Sequence, residues 1–440
     1  MSVRISASLS LAAALAAAAA PSPLAPAATQ SAMASDDSQA RFQRAQELMA
    51  AGRAQDAAAL LEELVQAHPE AAPLRFALGQ AYLSSGEPRR AEAELRRALA
   101  LQPDYAPIRL ALSQSLSELG RQSEAIEIAR AAVAEDPAAV VPALQLARLQ
   151  IEAGQPQEAA AVLQALLQAK PEAPGARALL ASAQTEAGDL RGAAETLEQA
   201  VRRHPEAAGL QANLGMLRYA LHQPDRAAEA LRRALELEPG RAIARFYLGL
   251  SLAESGDRAG GIAELQSTIT ELEQRGAAEA APRWLSPEGY PIAVAARAAL
   301  GALLIESDRI EAALPHLEWV LERAPQHLAV RYQLGQALLR GGRATEARAH
   351  LEIYQRLNQA RELYELGRQL ATESGDLARA EAALRRALEL APDHAAAHFE
   401  LGRILAARRD AAARRHLELA RDNPALREAA ERLLRELSGS

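Results

Sequence analysis

Residues Leu78 to Pro103 read LGQAYLSSGEPRRAEAELRRALALQP, and the fold follows from this stretch. Leu78, Gly79 and Tyr82 fall on one helical face, where the glycine lets a paired helix come close. Gly86 is placed to stop that first helix in a left-handed conformation, and Gly52, Gly120, Gly154, Gly188, Gly256 and Gly375 stand at corresponding points. Pro88 opens a second helix where a missing N–H costs nothing, and Pro156 and Pro224 repeat the device. Ala91 and Ala98 keep the crossing tight, Leu95 fills the gap between them, and Pro103 ends the unit.

The pattern recurs in both directions. Pro69, Pro103, Pro137, Pro171, Pro205 and Pro239 follow one another at intervals of 34 residues. The same grammar returns as Leu214-Gly215, Ala227, Leu231, Ala234 and Pro239. With this period the chain resembles the tetratricopeptide repeat family over roughly Ser38 to Pro424. The resemblance implies an all-α chain, a right-handed α-solenoid of about eleven helical hairpins. Less regular units run from Leu300-Gly301 to Pro325, from Leu334-Gly335 to about Gln359, from Leu366-Gly367 to Pro392, and from Leu401-Gly402 to Pro424. The unit ending near Gln359 lacks its proline, and the next carries one extra residue between Gly367 and Gly375. Ala425 to Leu437 sets Leu426, Ala430, Leu433 and Leu437 on one face, as a capping helix does. The family's usual first-helix tryptophan is replaced by Arg75, Arg109, Arg177, Arg245, Arg297 and Arg331, whose stems are expected to cover the groove with their heads in water.

Composition agrees with this architecture. The 440 residues are 49% hydrophobic but only 3% aromatic, so the apolar bulk is Ala and Leu, strong helix formers. The absence of cysteine removes disulfide scaffolds, Cys-ligated metal sites and thiol catalysis. A formal charge of −7 argues against a nucleic-acid or anionic-membrane binder.

The chain divides into a leader over 1–34, repeats over 38–272, an insertion over 273–293, repeats over 294–424, and a cap and tail over 425–440. In the leader, Arg4 precedes an apolar stretch from Ile5 to Ala20, short for a membrane span but suited to a secretory signal. Ala25-Pro26-Ala27 or Ala32-Met33-Ala34 offers a cleavage pattern, so a periplasmic or secreted bacterial protein without a membrane span after cleavage is expected. In the insertion, Trp284 and Tyr290 lie among Pro282, Pro287, Gly289 and Pro291, a turn-like, aromatic segment read either as a surface loop or as a partner-docking loop.

In the family the first helices line a concave surface that holds a peptide, and the resemblance implies the same here. Phe42, Phe76, Phe246 and Phe399 share one first-helix slot with Tyr332 and Tyr364. Gln46, Gln80, Gln114 and Gln336 follow four residues after that slot, placing an amide beside the ring on the same face. These residues are candidate peptide anchors, and packing of the rings between neighbouring units is the competing reading. Glu118, Glu152, Glu186, Glu254, Glu306 and Glu373 recur near first-helix C-termini, where they oppose the helix dipole. They form either a solvated, arginine-paired row or a ladder that attracts a basic partner.

No nucleotide loop, GxGxxG, GxSxG or HExxH motif is present. His394, His398 and His416 are read as surface residues rather than metal ligands. The expectation is a non-catalytic scaffold without cofactor or metal that binds a protein or peptide partner. A holdase for exported proteins and an adaptor for polysaccharide secretion or envelope assembly are the alternatives, and the oligomeric state stays open.

Overall fold

The computed structural model describes residues 36–275, 291–423 and 426–439. Among these the chain forms 22 α-helices and no sheet, an all-α solenoid. Two compact units divide at Leu217 and Arg218.

The first unit holds α1 (Asp36–Ala50), α2 (Ala54–Ala67), α3 (Ala72–Ser84), α4 (Pro88–Leu101), α5 (Ala106–Glu118), α6 (Gln122–Glu135), α7 (Val140–Glu152), α8 (Pro156–Ala169), α9 (Ala176–Glu186) and α10 (Leu190–Arg203). Helix α11 (Ala208–Ala220) runs across the division. The second unit continues with α12 (Pro224–Leu237), α13 (Ala242–Glu254), α14 (Arg258–Arg275), α15 (Ile292–Glu306), α16 (Ile310–Arg323), α17 (Leu328–Arg340) and α18 (Ala344–Gln369). It closes with α19 (Leu377–Leu390), α20 (Ala395–Ala407), α21 (Ala412–Arg421) and α22 (Arg427–Gly439).

Each element of the repeat grammar has a visible cause. A Cβ at Gly79 would lie 2.6 Å from Leu95 Cγ, and one at Gly301 would lie 2.4 Å from Leu317 Cδ2, so these glycines set how closely the two helices cross. Ala91, Leu95 and Ala98 are fully buried in that crossing. Each leucine so buried contributes about 1.5–3 kcal/mol. The turn residue has positive φ at Gly86 (+76°), as it does at the other glycines of that position. His222, Asp308 and Arg409 adopt the same conformation without the glycine's freedom. At the end of the array Ala430 of α22 is buried, and Leu437 packs on the core of the last hairpin.

Arg75, Arg109, Arg245, Arg297 and Arg331 in the tryptophan slot differ from expectation, because their heads are not left in water. Arg75 Nε donates to the Pro69 carbonyl at 2.7 Å while Nη1 pairs with Glu94 at 2.6 Å, both side chains being largely covered. Arg245 repeats the arrangement with the Pro239 carbonyl and Glu264. Arg297 pairs with Glu273 and lies over the Trp319 ring, 4.3 Å from its centroid. At Arg75 and Arg245 one guanidinium thus ties the inter-hairpin turn to both helices of its own unit, a task suited to its fork of donors. In the last hairpin His398 occupies this slot, with Nε2 2.7 Å from the Pro392 carbonyl.

Hairpins nine and ten share one helix. Where a proline would end the ninth unit, α18 continues without a break from Ala344 to Gln369. Asn358 Nδ2 donates to Glu362 and Arg361 donates to Asn358, bridging the point where a turn would fall. The extra residue before Gly375 is absorbed as a π-helical turn, Leu370–Ser374, whose i→i+5 pattern takes up one additional residue. Helix α17 packs on the first half of α18 and α19 on its second half. At the midpoint Leu357 and Ala360 are held by Leu328 from one neighbour and by Leu390 and Ala391 at the end of the other.

Candidate protein-docking surface

The regular joints consume the rings offered as peptide anchors. Phe42, Phe76 and Phe246 are all buried, Phe76 to 3% exposure. Phe76 meets Tyr105, at the start of the next hairpin, edge to face at 5.9 Å, and Phe246 lies edge-on to its own-helix neighbour Tyr247 at 5.2 Å. These three are therefore corrected from groove contacts to packing residues. Alanine-rich helices leave room between hairpins, and a ring is the group large enough to fill it. Gln46 and Gln114 are exposed and Gln80 and Gln336 half-buried. Gln114 already donates to Glu118 at 3.1 Å.

The carboxylates of the ladder have local partners. Glu152 accepts from Arg148 at 3.0 Å and Gln122 at 3.3 Å, Glu254 lies 3.3 Å from His222, Glu306 lies 3.6 Å from Arg258, and Glu373 accepts from Gln369 at 2.9 Å. Glu186 is half-buried and not free either. Such exposed contacts are worth little individually, but they shorten the reach of the row's field.

Of the histidines at the C-terminal end, His398 is not a surface residue, and His394 and His416 are half-buried. His398 is buried, and its Nδ1 lies 2.8 Å from Nδ1 of His416 while Nε2 faces the Pro392 carbonyl. His394 caps α20 by accepting from the Ala397 N–H, and its ring lies 4.9 Å from that of Tyr364. Burial holds the His394 and His416 imidazoles below their ordinary pKa, and His398 presses both further down. Tyr364 and Phe399 are half-buried.

The slot is open to solvent at Tyr332, which is 45% exposed and leans on Tyr354 of α18 at 5.1 Å. Leu339, two turns further along the same face of α17, is also 45% exposed, with Gln336 between them. The cause is the shared helix. In a regular joint the next first helix lies beside its predecessor, whereas α18 carries the tenth unit's first helix straight on, so it does not fold back beside α17.

The same event uncovers the second half of α18. The leucine preceding the small residue of the first helix is buried at Leu78, Leu112, Leu146, Leu180, Leu248, Leu300, Leu334 and Leu401. Its counterpart Leu366 is 46% exposed, flanked on its face by the half-buried Leu363 and Leu370. The signal available in the sequence was the missing proline near Gln359. Trp284 and Tyr290 lie outside the described residues.

Models of the tetratricopeptide repeat match residues 48–115, 85–149, 116–183, 150–214 and 291–370, and a second such model matches 212–275 and 369–436. Among solved structures, a tetratricopeptide repeat protein from Parabacteroides merdae is similar at 14% identity over 54% of this chain and 94% of its own, with a TM-score of 0.43. MamA from Desulfovibrio magneticus RS-1 is 22% identical over 39% of this chain and 96% of its own (TM-score 0.35). The APC/C hetero-tetramer Cut9-Hcn1 is 14% identical over 92% of this chain and 97% of that one (TM-score 0.33). No curated protein matches the chain.

Proposed function

Since the chain belongs to the tetratricopeptide repeat family, whose repeats imply a protein–protein interaction scaffold, we propose that it is an exported, non-catalytic scaffold of the bacterial cell envelope that docks its partner at the open joint of hairpins nine and ten. One observation carries the reading: Tyr332 and Leu366 stand in water where their counterparts Phe76 and Leu78 are buried. An apolar face left open at positions that are otherwise core marks an interaction site more specifically than scattered surface leucines do.

Export is supported by the Arg4 and Ile5–Ala20 leader followed by small residues. Among the described residues no helix is long and apolar enough to cross a membrane. The glutamate row plays the lesser part of steering cationic partners toward the surface, an effect that salt removes.

Cross-linked partners recovered from the envelope fraction test the site. Tyr332→Ala and Leu366→Arg are expected to lose the partner while Phe76→Ala retains it at temperatures where the array stays folded. Capture that survives Tyr332→Ala together with Leu366→Arg rejects the reading. N-terminal sequencing of the protein from a periplasmic extract tests export, and an intact Met1 start there rejects cleavage.

A further inference from the structure

We infer that the open joint is closed by a second copy of this chain, the Tyr332–Leu339 face of each protomer covering the Leu363–Leu366–Leu370 face of the other about a two-fold axis. The inference rests on the docking-surface reading above and names the occupant.

The two faces are the halves of one interface type. In the regular joint between α3 and α5 the ring of one hairpin and the leucine of the next share a continuous core that includes Phe76, Ile108 and Leu112. Tyr332 occupies the ring position of that interface and Leu366 the leucine position. They cannot meet within one chain, because α18 is continuous between them. Tyr354, which touches Tyr332, and Leu366 are twelve residues apart on that helix, a separation of about 18 Å.

Sequence use at the leucine position separates a covered face from a bare one. In the first described hairpin no described helix packs ahead of α1, and the residue there is Arg44, which is exposed. An exposed position of this kind takes a polar residue there. Leu366 meets water in the monomer yet keeps the apolar residue of a covered joint. Charge points the same way. Arg340 stands at the end of the Tyr332–Leu339 face, while Glu362 and Glu373 flank Leu366, so a two-fold contact sets opposite signs against each other.

A second copy also explains why two faces are open. An isologous pair closes both faces of both protomers with one symmetry operator, since whatever contact one chain makes its partner returns.

Sedimentation velocity of the full chain across about 1–100 µM is expected to show a reversible monomer–dimer equilibrium, the range in which a modest apolar contact operates. Leu366→Arg, which installs the residue found at this position in the first described hairpin, is expected to weaken the dimer roughly 30-fold or more with unchanged far-UV circular dichroism. Because the chain has no cysteine, mixing Tyr332→Cys with Leu366→Cys protein under mild oxidation is expected to give a covalent dimer in higher yield than either variant alone. A chain that stays monomeric throughout, or a dimer that ignores Leu366→Arg, overturns the inference. If the chain is monomeric and Leu366→Arg still abolishes capture of an envelope protein, the second copy is wrong and the docking surface stands. If neither association nor capture responds to Leu366→Arg, both readings fall.

Discussion

Replacing Phe76 by alanine distinguishes a ring that builds the array from one that holds a guest. The ring is 3% exposed and set edge-on to Tyr105 at 5.9 Å, so its removal forfeits about 1.5–3 kcal/mol of apolar transfer. It also leaves a cavity at the joint between α3 and α5, in a core that includes the fully buried Ile108 and Leu112 and cannot collapse freely. Together these place the cost at about 3–5 kcal/mol. Tyr332, at 45% exposure, has already lost about half its transfer energy and encloses no cavity, so Tyr332→Ala is expected to cost about 1 kcal/mol. Because repeat arrays are stabilised largely by nearest neighbours and need not unfold in one step, native-state hydrogen exchange is a better assay than a single melting curve. Phe76→Ala should lower protection across α3 and α5 while α17 is unaffected, and Tyr332→Ala should change α17 only slightly. Unchanged protection in α3 and α5 after Phe76→Ala refutes the assignment of that ring to the joint.

Gly301→Ala puts a Cβ 2.4 Å from Leu317 and is expected to destabilise by about 1–3 kcal/mol through overpacking, whereas the gain in helix propensity is at most about 1 kcal/mol. A more protected α15 and α16 by hydrogen exchange contradicts that sign. Tyr82→Phe removes the 2.8 Å hydrogen bond to Glu62, and because Arg90 still holds that carboxylate at 2.9 Å the loss should be only about 0.5–1.5 kcal/mol in chemical denaturation of the first unit. The His416 imidazole, held below its ordinary value of 6.5 by burial and by His398, Arg385 and Arg415 with Asp410 opposing, protonates more readily in the unfolded chain. The stability of the last hairpin is therefore full above about pH 6.5 and falls as pH drops below it. Exchange protection of α20 and α21 at pH 7.5 and 5.5 measures this, and His416→Gln should reduce the difference.

Helix positions, the glycine-imposed crossing and the turn conformations were legible in the sequence because each depends on residues within one hairpin. Gly79 and Leu95 are sixteen positions apart, and the 34-residue period states their pairing repeatedly. The row of rings was legible as a row, but its exposure was not. Helical spacing says which residues share a face, whereas burial depends on whether a neighbouring hairpin covers that face. The same limit hid the arginine slot, whose guanidinium reaches a carbonyl six residues back and a carboxylate nineteen residues ahead on another helix. The absent proline near Gln359 could be read directly, yet a lost turn signal alone does not distinguish a looser turn from no turn. Tertiary structure decided that point by continuing α18 through it, so one backbone event left Tyr332 and Leu366 without the neighbours their sequence pattern presumes. Local chemistry thus determined the repeating unit, and the stacking of units, which depends on contacts between residues distant along the chain, determined which apolar side chains remained available to a partner.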